Sequence, residues 1–157
     1  MAYSPASEQV PLNGVYRRTA LVVGAMAVSA LIVLMAGFFI PPPFIGNPRI
    51  SFLVYAIAPV VGLAVVMARR LLLSKASLRR VQRAGVAAIL NRFSRVSVIG
   101  GALGEAMAVL GLVGYLITGQ YDVSLRLGII GMLLILYSFP RQREWSRAVS
   151  ALNDDQE

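Results

Sequence analysis

The chain holds few side chains that could do chemistry together, and one acid stands apart from the rest. Glu105 lies inside the long apolar run 95–119, which contains no other acidic residue. A carboxylate near the centre of a membrane span is costly, so it is usually protonated, paired or functional. Glu105 is therefore the main candidate for an ion-binding or structural carboxylate.

Other kinds of reactive site find little support. The chain has no cysteine and no histidine, which excludes disulfides, thiolate chemistry and iron–sulfur ligation. The seven acidic residues are scattered, so their spacing does not favour a metal or haem site. We predict no catalytic residue, no cofactor and no metal, and hence a protein that is not an enzyme.

Arg126 is the obvious partner for Glu105 by charge, but their predicted depths differ. At about 1.5 Å per residue, Glu105 lies roughly 19 Å below Thr118, close to mid-bilayer, whereas Arg126 lies roughly 6 Å inside its span. Arg126 should instead pair with Asp122, four residues before it. A group from another polypeptide is an alternative partner for Glu105, as are three hydroxyl groups of this chain, on Ser29, Tyr55 and Tyr137.

Four apolar runs predict the elements that position these residues. The composition is 57% hydrophobic and 14% charged, compared with about 25% charged in soluble domains. Each run is long enough to cross a bilayer. We predict an all-α integral membrane four-helix bundle of two antiparallel hairpins, forming one membrane domain. The predicted spans are about 19–40, 50–68, 96–118 and 123–139, between flexible tails at 1–16 and 148–157.

The segment 69–95 is strongly basic and predicts a cytoplasmic amphipathic loop helix. Lys75, Arg79 and Arg83 follow one another at spacings of four, beside Arg80, and should face anionic head groups or an acidic partner. No aromatic residues alternate with them, so we do not predict nucleic-acid binding.

Basic residues also flank both ends of the apolar region. The positive-inside rule then places both termini in the cytoplasm. We expect a multi-pass protein of a bacterial inner membrane.

A stripe of small residues runs along the predicted third span. Residues of this kind let helices approach closely, so the stripe indicates packing within the bundle, against a partner, or both. It consists of Gly100, Gly101, Gly104, Ala108 and Gly111.

The run 104–113 (GEAMAVLGLV) resembles the ion-carrying helix of the proteolipid (c or K) subunits of rotary ATPases. In that family a glutamate sits in mid-helix between small residues. The resemblance implies that Glu105 is an ion-binding carboxylate in a proton- or ion-translocating subunit. It covers one span, and the second span lacks the glycine series of that family.

Two further resemblances concern other parts of the chain. The segment 80–84, together with 91–93, resembles the basic segment of glutathione-using four-span membrane enzymes, without that family's usual histidine and glutamate. A second pattern is similar to uncharacterised small bacterial four-span membrane proteins and implies no activity. It comprises Glu105, Gly111, Leu112, Tyr137, Phe139, Pro140, Arg141 and Trp145.

Taken together, these patterns favour a non-enzymatic accessory, assembly or structural subunit. Its expected partners are the bilayer with its anionic head groups, and another membrane protein or further copies of itself. The alternatives are ion translocation through Glu105 and, more weakly, the glutathione-using enzyme.

Overall fold

The computed structural model describes residues 6–41, 48–72, 86–143 and 145–146. The predicted all-α fold is confirmed: this part of the chain forms four long helices that pack as a bundle. They are α1 Ala6–Phe39, α2 Pro48–Leu72, α3 Val86–Thr118 and α4 Tyr121–Ser138. All four are long and apolar enough to cross a membrane, over Asn13–Phe39, Tyr55–Leu72, Ala87–Thr118 and Tyr121–Ser138. These helices support a multi-pass membrane protein.

Two helices begin about three turns before the predicted spans, whereas the other two begin close to them. The helix α1 starts at Ala6, so the segment expected to be a flexible tail, 1–16, is helical from residue 6. The helix α3 starts at Val86 rather than near residue 96. The end of the predicted loop helix, 86–95, therefore belongs to the third membrane helix.

The early start of α3 follows from its apolar side chains. Ile89, Leu90 and Phe93 are each less than 10% exposed, and their spacing of one, three and four residues places them on one side of a helix. Burial of this side extends the helix beyond the predicted span 96–118. The basic residues Lys75, Arg79, Arg80 and Arg83 lie outside the described residues, as does the tail 148–157.

A short turn joins α3 to α4, as predicted. Gly119 has a φ of 71°, a left-handed conformation that glycine adopts without steric cost. Its N–H donates to the carbonyl oxygen of Tyr115 (2.7 Å). The Thr118 hydroxyl donates to the Gly114 carbonyl oxygen (2.7 Å) and accepts from the Gln120 N–H (3.3 Å). These bonds satisfy backbone groups left over at the helix end and fix α3 and α4 as an antiparallel hairpin.

The α3–α4 hairpin is the centre of the bundle. The helices α1 and α2 each pack against both of its helices and have little contact with each other, so they lie on opposite faces of it. Hydrogen bonds show the direction of α1, because Thr19 Oγ1 donates to Ser94 Oγ (2.8 Å) and Tyr115 Oη donates to the Ile40 carbonyl oxygen (2.8 Å). Their order along both helices makes α1 parallel to α3.

Both terminal segments meet at one end of the bundle. The Trp145 ring is 1% exposed and lies 5.8 Å from the ring centroids of both Tyr16 and Phe93. This end, which we call the basic end, carries arginines from the start of α1, the end of α2 and the start of α3. They are Arg17, Arg18, Arg69, Arg70, Arg92 and Arg95.

Candidate functional site

Glu105 lies at the middle of the membrane-spanning part of α3. It is placed halfway between Ser94 and Tyr115, the two residues that join α3 to α1 by hydrogen bonds. At about 1.5 Å per residue, each of these bonds lies roughly 15 Å from Glu105 along the helix axis. This is half the thickness of a hydrocarbon layer of about 30 Å, so the predicted mid-bilayer depth fits the fold.

Around the α3 axis, Glu105 lies between a buried side and an exposed side. A Cβ added to Gly101, one turn earlier, would approach Met26 Sδ to 3.0 Å, so this side faces α1. On the other flank Ala102 is exposed and Val109 is 44% exposed. Glu105 itself is half-buried. We call Glu105, Ala102 and Val109 the Glu105 rim, the edge at which the α1–α3 contact opens outward.

The Glu105 carboxylate forms no hydrogen bond or ion pair with any residue that the structure describes. The predicted alternative pair is present: Arg126 Nη2 lies 2.9 Å from Asp122 Oδ2, and Arg126 Nε donates to Asp122 Oδ1 (3.0 Å). Asp122 lies in the first turn of α4, so the pair lies at the bundle end remote from the basic end, where both side chains are more than half exposed.

The hydroxyl groups considered as partners of Glu105 do not bond to it. Tyr55 Oη donates to Asp122 Oδ2 (3.1 Å), and the Tyr137 ring lies under the Arg69 guanidinium, 4.7 Å from its Cζ. Ser29 is half-buried and lies level with Glu105 in the α1–α3 register. No hydrogen bond joins the two among the described residues.

The stripe of small residues packs against other helices of the same bundle. Gly104 and Gly111 face α4: a Cβ at Gly104 would lie 2.6 Å from the Gly131 carbonyl oxygen, and one at Gly111 would lie 3.1 Å from that of Ser124. Gly101 faces α1, and Gly100 faces Ser138. Ala108 is 2% exposed. Because these positions hold the bundle's own helices together, the apolar surfaces open to other molecules are the outer faces of the four helices.

A metal site has no ligands in the part of the chain that the structure describes, where no three acidic, cysteine or histidine side chains come together. The two acids whose side chains the structure describes are separated: Glu105 lies at mid-depth and Asp122 near the end of the bundle. A two-acid relay inside the bundle is therefore not formed by these residues.

The sequence pattern missed a role for the arginines at the basic end. The Arg69 guanidinium donates to the Tyr137 carbonyl oxygen, and Arg92 Nε donates to the Leu72 carbonyl oxygen (3.0 Å). Each arginine thus reaches a backbone oxygen at the end of a neighbouring helix, where carbonyls have no partner within the helix. The sequence pattern assigns both residues to the basic loop helix 69–95. The available signal is that Arg69 directly follows the predicted second span and Arg92 lies four residues before the predicted third span.

Comparisons with protein families, with curated proteins and with solved structures found no match for this chain. The candidate site therefore rests on its own geometry, which is a half-buried acid at mid-depth with no partner among the described residues.

Proposed function

We propose that this protein is a non-enzymatic integral membrane subunit that binds a membrane partner at the Glu105 rim. The observation that supports this proposal is the unpartnered, half-buried carboxyl group of Glu105 halfway along α3. An acid in that environment gains most from a hydrogen-bonding or basic group supplied by another helix, since lipid offers none. The partner is either another membrane protein or a second copy of this chain.

The surroundings of Glu105 fit such a contact. Ala102 has a small side chain, and Val109 leaves a modest apolar surface on the same face, so a neighbouring helix can come close to the carboxyl group. Exposed apolar side chains continue along α3 beyond the rim, for example Val113, which is 43% exposed. A polar group at the centre of this apolar face would fix the register of the bound helix.

We further propose that the membrane is a bacterial inner membrane and that the basic end faces the cytoplasm. The arginines of α1, α2 and α3 gather at this end, whereas the α3–α4 turn carries the Asp122–Arg126 ion pair. The positive-inside rule favours this orientation. Adding a reporter enzyme to the C-terminus, active only on one side of the membrane, tests it: periplasmic activity would contradict the proposal.

The partner contact is tested with the tagged full-length protein solubilised in a mild detergent and analysed on a native gel. The wild type should migrate as a complex, and Glu105→Leu should release it. Asp122→Asn is the matched control, because it removes an acid remote from the rim and should leave the complex intact. Migration of the wild type only as a monomer would overturn the proposal, as would unchanged migration of Glu105→Leu.

A second candidate function, proton transfer by Glu105, is favoured by the same half-buried position. Carbodiimides modify carboxyl groups in apolar surroundings. The Glu105 carboxyl group is open on one side and lies among apolar residues. We expect labelling of Glu105 that stops in Glu105→Gln. Absence of labelling, or proton flux in vesicles that is the same for wild type and Glu105→Gln, would remove this candidate.

A further inference from the structure

A groove lies between the end of α2 and the start of α3 at the basic end of the bundle. It has a volume of about 410 Å³. Its walls include Leu72 of α2 and the α3 residues Asn91, Arg92, Arg95, Val96 and Ile99. We call it the α2–α3 groove. Its walls lie on the α2 side of α3, so it is separate from the Glu105 rim.

The polar and apolar walls of the groove lie at different depths. Arg95 is ten residues from Glu105, so its Cα lies about 15 Å from mid-bilayer, at the edge of the hydrocarbon layer. Arg92 lies further out, whereas Ile99 lies about 9 Å from the centre. The groove therefore runs from the head-group region into the hydrocarbon, as a lipid molecule does.

The guanidinium groups at the outer part of the groove are placed for an anion. Arg95 is exposed and forms no ion pair with the described residues. The Arg92 side chain is held against the end of α2 by its bond to the Leu72 carbonyl oxygen (3.0 Å). Arg92 lines the groove, so its positive charge adds to the attraction of Arg95 for a phosphate group.

The inner part of the groove continues as an apolar surface. Arg95, Ile99 and Leu103 are spaced four residues apart and share one face of α3. Ile99 is 55% exposed and Leu103 is 37% exposed. A smaller cavity shares three walls with the groove, Leu72, Val96 and Ile99, and extends to Leu103. The exposed side chains of Ile99 and Leu103 offer an acyl chain an apolar surface below the arginines.

We propose that the α2–α3 groove binds one anionic phospholipid. Its phosphate lies between Arg92 and Arg95, and one acyl chain follows Ile99 and Leu103. Charge complementarity supports an anionic head group, since the described side chains at the basic end include arginines from three helices and no acid. A zwitterionic lipid would bring its own cation to this already positive region.

The test uses the purified full-length protein in detergent, with native mass spectrometry to count bound lipid. Phosphatidylglycerol should bind at one copy per chain and should raise the unfolding temperature. Arg95→Gln should weaken this binding about tenfold or more, because it removes a charge-assisted hydrogen bond. Arg70→Gln removes an exposed arginine of the same end that does not line the groove, and should leave binding unchanged.

Two other ligands distinguish an anionic phospholipid site from a site for any phospholipid and from a site for phosphate alone. Phosphatidylcholine should bind more weakly than phosphatidylglycerol, and equal binding would overturn the anionic site. Glycerol 3-phosphate carries the phosphate without acyl chains, so equal binding of this compound would overturn the lipid assignment. Ile99→Trp fills the apolar path without changing charge and should also reduce lipid binding. If Arg70→Gln and Arg95→Gln lost lipid binding equally, the binding would depend only on the general positive charge of this end, and the proposal would be overturned.

Discussion

Gly104 of α3 and Gly131 of α4 face each other so closely that neither position has room for a side chain. A Cβ at Gly104 would lie 2.6 Å from the Gly131 carbonyl oxygen, and a Cβ at Gly131 would meet the Gly104 carbonyl oxygen. The opposing atoms are backbone atoms, so they cannot rotate away as the end of a side chain can. The close approach of the central hairpin depends on this pair.

Alanine at either position should therefore push α3 and α4 apart. We expect Gly104→Ala and Gly131→Ala each to lower the free energy of unfolding by about 1–3 kcal/mol, as overpacking does in cores. Denaturation in mixed detergent micelles, followed by circular dichroism, measures this loss. Gly24→Ala and Gly62→Ala are matched controls, since an added Cβ meets nothing within 4 Å at either position.

The controls should be neutral or stabilising by up to about 1 kcal/mol, because alanine is the better helix former. If all four variants lost stability equally, the loss would reflect a general requirement for glycine in these helices. That result would contradict a specific contact between Gly104 and Gly131.

The peripheral helix α2 is tied to α4 through Tyr55. The Tyr55 hydroxyl donates to Asp122 Oδ2 (3.1 Å), and Asp122 in turn binds Arg126. We expect Tyr55→Phe to cost about 0.5–1.5 kcal/mol, the usual net contribution of one hydrogen bond. A double-mutant cycle with Asp122→Ala, which removes the acceptor, should show coupling between the two residues.

Tyr121→Phe is the control for loss of a tyrosine hydroxyl. The Tyr121 ring packs against Phe38 and Tyr115, with centroids 6.0 and 5.8 Å away, and phenylalanine keeps both contacts. Its hydroxyl bonds to no described residue, so the substitution should change stability little. Additive effects of Tyr55→Phe and Asp122→Ala would show that the hydrogen bond between them contributes nothing.

The spans could be predicted because long apolar runs and strong helix-ending signals are local properties of the sequence. The end of α3 at Thr118 was predicted correctly, since Gly119 follows it and supplies the left-handed turn. The helix α3 starts ten residues before the predicted span, because the sequence pattern assigns the run containing Arg92 and Arg95 to a separate amphipathic loop helix. The burial of Phe93 under Trp145 decides that boundary, and it is a long-range contact that no local pattern contains.

The candidate site was predicted in part for the same reason. An acid in an apolar run is visible in the sequence, and so is the Asp122–Arg126 spacing of four. The sequence does not show which helix each glycine of α3 faces. In the structure Gly101 contacts α1, whereas Gly104 contacts α4. That distinction depends on the rotation of α3 about its axis, which is set by the packing of α1 and α4 together.

Trp145 provides a test of how the C-terminal segment packs. It is the only tryptophan in the chain, and it is 1% exposed, between Tyr16 and Phe93. We expect blue-shifted fluorescence that acrylamide quenches poorly. Phe93→Ala should increase the quenching by opening one side of the pocket. Phe38→Ala, which removes an aromatic ring that is 69% exposed, should not change it, and strong quenching in the wild type would contradict the buried position.

Two serines allow a comparison between a hydroxyl group that is hydrogen-bonded and one that is not. Ser94 Oγ accepts a hydrogen bond from Thr19 Oγ1 (2.8 Å), whereas Ser124 Oγ is buried and has no partner among the described residues. We expect Ser94→Ala to destabilise the protein by about 0.5–1.5 kcal/mol. Ser124→Ala should be neutral or stabilising, because it removes a buried polar atom that gains nothing from burial. Unfolding of both variants under the same detergent conditions compares the same chemical change at the two positions. A larger loss for Ser124→Ala than for Ser94→Ala would show that the Ser124 hydroxyl is satisfied in the folded protein and that the α1–α3 hydrogen bond contributes little.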